Sequence, residues 1–182
     1  METAPEILKH YISLFGNNNI EDYDYHVEAD NFAWINMKIA GYSDEGEYIE
    51  EYYRSGIVET VFISDDISCG NFVIWPLLSK TYPHLKTLIV DRYRMNIISC
   101  EVENFMAVST HGPSNPFEET KQLTNAKWVL FDNDDVYDSE YWKDFDTNLE
   151  GIVFKTKKRI GYYPPKGWKY RFIDSWIIYE KL

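Results

Sequence analysis

The residues best suited to chemistry lie together at Val129-Leu-Phe-Asp132-Asn-Asp134-Asp135. An apolar run closing on D-x-D places two carboxylates at the C-terminal end of a predicted strand. Carboxylates so placed can hold Mg²⁺ through oxygen ligands. The metal can then activate water or polarise a phosphoryl oxygen. Asp132 and Asp134 are therefore the candidate metal ligands. The competing expectation is a solvated acidic turn, because Asn and Asp favour turns.

Other chemistries lack their residues. His10, His26, His84 and His111 show neither H-x-x-x-H nor H-E-x-x-H spacing. Ser109 and Ser114 lack the G-x-S-x-G elbow of an exposed nucleophile. No G-x-G-x-x-G or G-x-x-x-x-G-K-[ST] stretch is present to cradle a nucleotide phosphate. Cys69 and Cys100 are isolated thiols, neither a disulfide framework nor half a zinc site.

The strand-terminal D-x-D with Glu101 upstream resembles the acidic motif of Toprim domains. More faintly, Asp132 and Asp134 resemble the first motif of haloacid-dehalogenase-like phosphatases. The Toprim resemblance implies a Mg²⁺-dependent phosphoryl-transfer or nuclease-like enzyme, in which Ile97-Ile-Ser-Cys-Glu101 supplies the upstream acid, Glu101, Asp132 and Asp134 form the metal set and Glu101 is the general base. The chain departs from both patterns. Val102 stands where Gly usually follows the Toprim Glu, and 31 residues separate Glu101 from Asp132. The dehalogenase motif's Gly-Thr is missing after Asp134.

These acids need strands to position them, and the strands recur. An h-x-x-h-x-h template fits runs starting at Phe32, Val58, Leu85, Ala126, Leu149 and Ile173, with start-to-start spacings of 26, 27, 41, 23 and 24. Val102 opens one further match inside the long gap. Helical segments are predicted between strands at 44–54, 70–82, from Asn115 onward and at 139–147. Strand–helix alternation implies a parallel α/β sheet. The period resembles that of a degenerate leucine-rich-repeat solenoid over residues 32–182. The expected fold is thus α/β, short strand–helix repeats on a parallel sheet, with a compact α/β sandwich as the alternative.

One domain is expected over 1–182, with an N-terminal capping helix and arm over 1–30 and the repeat-like body over 31–182. Thr3 and Glu6 match a capping box, Pro5 suits a first turn, and Gly16 suits a stop. Ile7, Leu8, Tyr11, Ile12 and Phe15 share one helical stripe. In the repeat, Phe62, Ile89, Leu130, Val153 and Ile177 fall on one open face. Such a stripe must be an interface or be covered, for instance by the N-terminal helix.

Charge narrows the partner. Thirty acids against 18 bases give a net charge of −12. Nucleic acid and anionic membranes are disfavoured, because binders of phosphate carry Lys and Arg. No signal-peptide pattern or membrane-span-length apolar run is visible, so a soluble cytoplasmic protein is expected. Lys155, Lys157, Lys158 and Arg159 form the one basic run, read as a solvated turn. Asp65, Asp91, Asp132 and Asp134 end strands and would line one edge of a parallel sheet. With Trp128 on the strand face, they are the candidate partner-binding residues. The functional expectation is a non-enzymatic protein-binding module without a cofactor, an acidic adaptor or inhibitor engaging a basic protein. In composition alone it resembles bacterial immunity proteins. The alternatives are the Mg²⁺-dependent enzyme and a structural subunit of an obligate assembly.

Overall fold

A computed structural model describes residues 3–16, 31–37, 48–53, 57–65, 82–91, 102–108, 126–132, 148–155, 164 and 166–182. Helix α1 spans Glu6–Phe15. Pro5 is its N-cap, and the carbonyl of Pro5 accepts from the N–H groups of Leu8 and Lys9 at 3.0 and 3.1 Å. No side chain caps that end, so the T-x-x-E capping box is not formed. Gly16 closes the helix at φ 70°, its N–H donating to the Ile12 carbonyl at 2.8 Å. A positive φ there is one that glycine adopts without steric cost.

Nine strands follow among the described residues: β1 Phe32–Met37, β2 Tyr48–Tyr53, β3 Thr60–Asp65, β4 Thr87–Asp91, β5 Asn104–Val108, β6 Trp128–Asp132, β7 Gly151–Lys155, β8 Trp168–Ile173 and β9 Trp176–Lys181. They form one sheet of order β2-β1-β3-β4-β5-β6-β7-β9-β8. From β1 through β7 the neighbours β1/β3, β3/β4, β4/β5, β5/β6 and β6/β7 are parallel. Antiparallel pairs close both ends: β2 on β1, and the β9–β8 hairpin on β7.

This corrects the expected fold class. The sheet is mixed, and α1 is the one helix among the described residues. Among the described residues the expected α/β strand–helix repeat is not formed. Residues 48–53, inside a predicted helix, are strand β2. Tyr and Ile are residues of high strand propensity, and pairing with β1 outweighs the helical periodicity of the segment. The predicted helix at 70–82 lies outside the described residues but for Tyr82, and those after Asn115 and at 139–147 lie outside them.

The run from Ile173 also differs. Ile173 pairs with Trp176 across Asp174-Ser175, a two-residue turn in which Asp174 takes φ 51°. Asp tolerates the left-handed region better than most residues. The chain therefore reverses, and β9 runs antiparallel to β7. The first spacing is longer by two, since Phe32 pairs with Thr60.

Registers align three fully apolar rungs across the centre. Phe62, Ile89, Met106, Leu130, Val153 and Ile178 are successive cross-strand neighbours, each with no exposed surface. This rung faces α1, whose Ile7, Leu8 and Tyr11 are buried against it. The flanking rungs, containing Val61, Phe105 and Val129 and then Val90, Ala107 and Phe131, build the core on the opposite face. Ile177 belongs to that opposite face, and Ile178 takes its expected place under α1. Phe15 stacks edge-on to Phe62 at 5.8 Å and extends the helix contact towards β3.

Edge strand β8 carries Lys169 and Arg171, and both meet Glu180 of β9, at 3.3 and 3.0 Å. The guanidinium of Arg171, by hydrogen bonding, holds the Glu180 carboxyl below its ordinary range. Charges on an edge strand discourage further strand pairing.

One titrating contact sits between helix and sheet. His10 Nε2 lies 3.1 Å from Thr60 Oγ1, and burial pushes the imidazole below its ordinary 6.5. The folded state therefore favours neutral His10. Below pH 6.5 the unfolded chain binds the extra proton more readily, so stability falls as the solution is acidified through that value. Denaturant titrations between pH 7.5 and 5 should show this loss, and His10→Gln should flatten it. A wild-type curve with the same slope as His10→Gln would contradict the assignment.

Candidate functional site

The C-terminal ends of β6 and β7 bring charge under the helix. Phe131 pairs with Phe154, so Asp132 and Lys155 stand side by side as the last residues of their strands. Each lies two residues beyond a buried member of the helix-facing rung, Leu130 and Val153, and alternation turns both towards α1. Their side chains are only 8% and 10% exposed, and Lys155 Nζ lies 3.1 Å from Asp132 Oδ1. Tyr11 of α1 donates its hydroxyl to Asp132 Oδ2. Lys155 Nζ also lies 5.6 Å from the ring centre of Trp176, its cross-strand neighbour on β9. The Trp176 ring in turn meets Tyr11 edge-to-face at 5.1 Å.

Four residues from α1, β6, β7 and β9 thus close on one another. Both oxygens of Asp132 are engaged, by an ammonium and by a phenol. Removing such charges from water is costly, and mutual pairing with good geometry offsets that cost. The arrangement anchors α1 at the point where the apolar rung ends.

The other candidate residues are less concentrated. Asp91 ends β4, and its backbone pairs with Val108, which pairs with Asp132. Asp91, Asp132 and Lys155 therefore share one level of the sheet. Asp65 ends β3 beside Met37, one residue further along. The side chains of Asp65 and Asp91 lie outside the described residues, as do Glu101 and Asp134 entirely. Among the described residues, no three His, Cys, Asp or Glu side chains group as a metal site. Asp132 itself is an ion-pair partner buried beneath the helix.

Trp128 stands at the opposite end of β6 from Asp132. Its indole lies across Gly151, the cross-strand neighbour, and fills the space a Cβ there would need. An aromatic ring laid over a strand glycine restores packing that the missing side chain forfeits. Gly151→Ala should displace the ring and cost about 1–3 kcal/mol of stability. Pairing it with Trp128→Leu should cost less than the sum of the single changes, as read by chemical denaturation. Strict additivity would show that the two positions do not share this space.

Sequence reasoning missed Tyr11, Lys155 and Trp176. The signal for Lys155 was present, since the spacing of 23 that aligns Ala126 with Leu149 also aligns Asp132 with Lys155. The adjacent Lys157, Lys158 and Arg159 obscure that alignment. Tyr11 and Trp176 carried no such signal, because neither helix docking nor the β9 reversal follows from spacing.

The acid excess is concentrated in two stretches of the sequence, which together hold eleven acids against one base, whereas the other 153 residues hold 19 acids against 17 bases. Residues 17–30 hold five acids with no Lys or Arg, and residues 133–147 hold six acids with Lys143 alone. The second stretch begins directly after Asp132.

No protein-family model, curated protein or solved structure matches this chain. Among the described residues, no helix is long and apolar enough to cross a membrane.

The anchor makes a direct prediction. Lys155→Met leaves the Asp132 carboxylate buried without its cation and should cost about 3–5 kcal/mol. Lys155→Met with Asp132→Leu removes both charges and should recover most of that loss. Urea midpoints of the three proteins decide it. A double variant no more stable than Lys155→Met would argue against a coupled pair.

Proposed function

We propose that this chain is a non-enzymatic protein-binding module that engages a basic partner, in the manner of an adaptor or an inhibitor. The observation that carries this reading is the segregation of charge. The segments 17–30 and 133–147 carry ten of the twelve excess acids, whereas the other 153 residues, with 19 acids and 17 bases, are close to neutral. Uniform acidity would serve solubility alone. Acid gathered into blocks raises the local potential and steers an oppositely charged partner. The Asp132–Lys155–Tyr11 cluster supports a binding role over catalysis, because its polar groups are engaged with one another.

Affinity capture with the full chain at low and high salt tests the proposal. A partner rich in Lys and Arg should be retained at low salt and released as screening shortens the reach of exposed charges. Replacing Asp134, Asp135 and Asp138 with Asn, or reversing Asp91 and Asp134 to Lys, should weaken capture. Those changes spare the buried anchor. Capture indifferent both to salt and to every one of these changes would reject the acidic-surface reading.

A further inference from the structure

The N-terminal edge of the sheet carries a second charge pattern, independent of the acidic segments. Backbone hydrogen bonds link one residue per strand into a row. The N–H groups of Lys86, Glu103, Lys127, Glu150 and Lys181 donate to the carbonyls of Glu59, Lys86, Glu103, Lys127 and Glu150, at 2.7–3.0 Å. The row therefore reads Glu59, Lys86, Glu103, Lys127, Glu150, Lys181, with strict alternation of sign across six strands. At about 4.8 Å per strand it is a ridge roughly 24 Å long.

The ridge is open to solvent. Side chains of Glu59, Lys86, Glu103 and Lys127 are 37–57% exposed, and Glu150 and Lys181 are exposed too. Within the chain, Lys86 meets Glu59 at 2.6 Å and Lys127 meets Glu103 at 3.0 Å. Such exposed pairs add little to folding. Each carboxylate keeps lone-pair capacity for a further donor.

An alternating row with an even number of members becomes its own complement when reversed. A two-fold axis along the sheet normal, passing between Glu103 and Lys127, sets two such edges end to end. Glu59 then faces Lys181, Lys86 faces Glu150, and Glu103 faces Lys127 of the other copy. Every contact is between opposite charges. An odd-numbered row would instead place like charges together.

Two apolar side chains frame the ridge. Ile57 is 58% exposed just before Glu59, and Leu182 is 83% exposed just after Lys181. The same axis brings Ile57 of one copy to Leu182 of the other. Large exposed hydrophobic residues are few among the described residues, and Tyr170 completes the set. Two of the three therefore lie at the ends of this ridge.

The geometry points to a second copy of this chain as the occupant of the edge, in an isologous dimer joined across the alternating ridge. Isologous two-fold contacts use one patch on both partners, which demands this kind of self-complementarity. The edge is also where two chains of net charge −12 can approach without like charges meeting.

Sedimentation velocity on the full chain, at low and high salt over a range of concentrations, reads the association directly. The wild type should form dimers at low salt that dissociate as salt rises. Two ridge variants extend the test. Lys86→Glu with Lys127→Glu and Lys181→Glu makes the ridge wholly acidic. Glu59→Lys with Glu103→Lys and Glu150→Lys makes it wholly basic. Each should be monomeric alone, and an equimolar mixture should restore a dimer. Circular dichroism checks that both remain folded. Should either fail to fold, Ile57→Asp and Leu182→Asp, at solvent-exposed positions, should weaken the wild-type dimer at least tenfold. A wild type that stays monomeric at low salt overturns the proposal. So does a dimer that persists in both ridge variants, or one unaffected by the two Asp substitutions.

Discussion

A sheet that is apolar on both faces cannot leave either one to water. In this chain the rung Phe62, Ile89, Met106, Leu130, Val153 and Ile178 crosses six strands without a polar member, and all six side chains are fully buried. The face that carries this rung needs a cover. Helix α1 provides it, through Ile7, Leu8 and Tyr11. Losing that cover would expose a large contiguous apolar patch, which soluble chains rarely tolerate.

The polar contacts of α1 follow from this requirement. Apolar burial fixes that the helix docks, but it is non-directional and leaves sliding along the rung inexpensive. Tyr11 on Asp132 and His10 beside Thr60 are directional and set the helix's position at two separate points. Lys155 then compensates the charge that Tyr11 needs as its acceptor. Trp176 closes the group from β9, so the antiparallel end of the sheet and the N-terminal helix depend on each other. Asp132 of the D-x-D motif thus takes part in fastening the cover.

Much of the central sheet was legible. Spacings of 27, 17, 24 and 23 between the runs at Val58, Leu85, Val102, Ala126 and Leu149 are the registers of β3 through β7. The expected stripe under a cover held at Phe62, Ile89, Leu130 and Val153. It failed at Ile177 because the chain reverses at Asp174-Ser175, and an antiparallel strand presents the neighbouring residue to the same face. The fold class failed for a related reason. Strand–helix alternation was inferred from short apolar runs, and residues 48–53 carry a pattern that suits either element until a neighbouring strand is present.

The opening D-x-D motif shows where local chemistry stops. Sequence by itself determined that Asp132 ends an apolar strand, that acids exceed bases by 12, and which residues share each rung of β3–β7. Those follow from period-two alternation and from residue type, which act within a few residues. Tertiary structure decided that Asp132 meets Lys155 and Tyr11 beneath a helix, and that the Trp128 ring lies over Gly151. It also decided that alternating Glu and Lys line one edge of the sheet. Contacts between residues as far apart as Tyr11 and Asp132 are set by strand order, register and helix docking. No local pattern encodes those, because they minimise the exposed apolar surface of the whole chain.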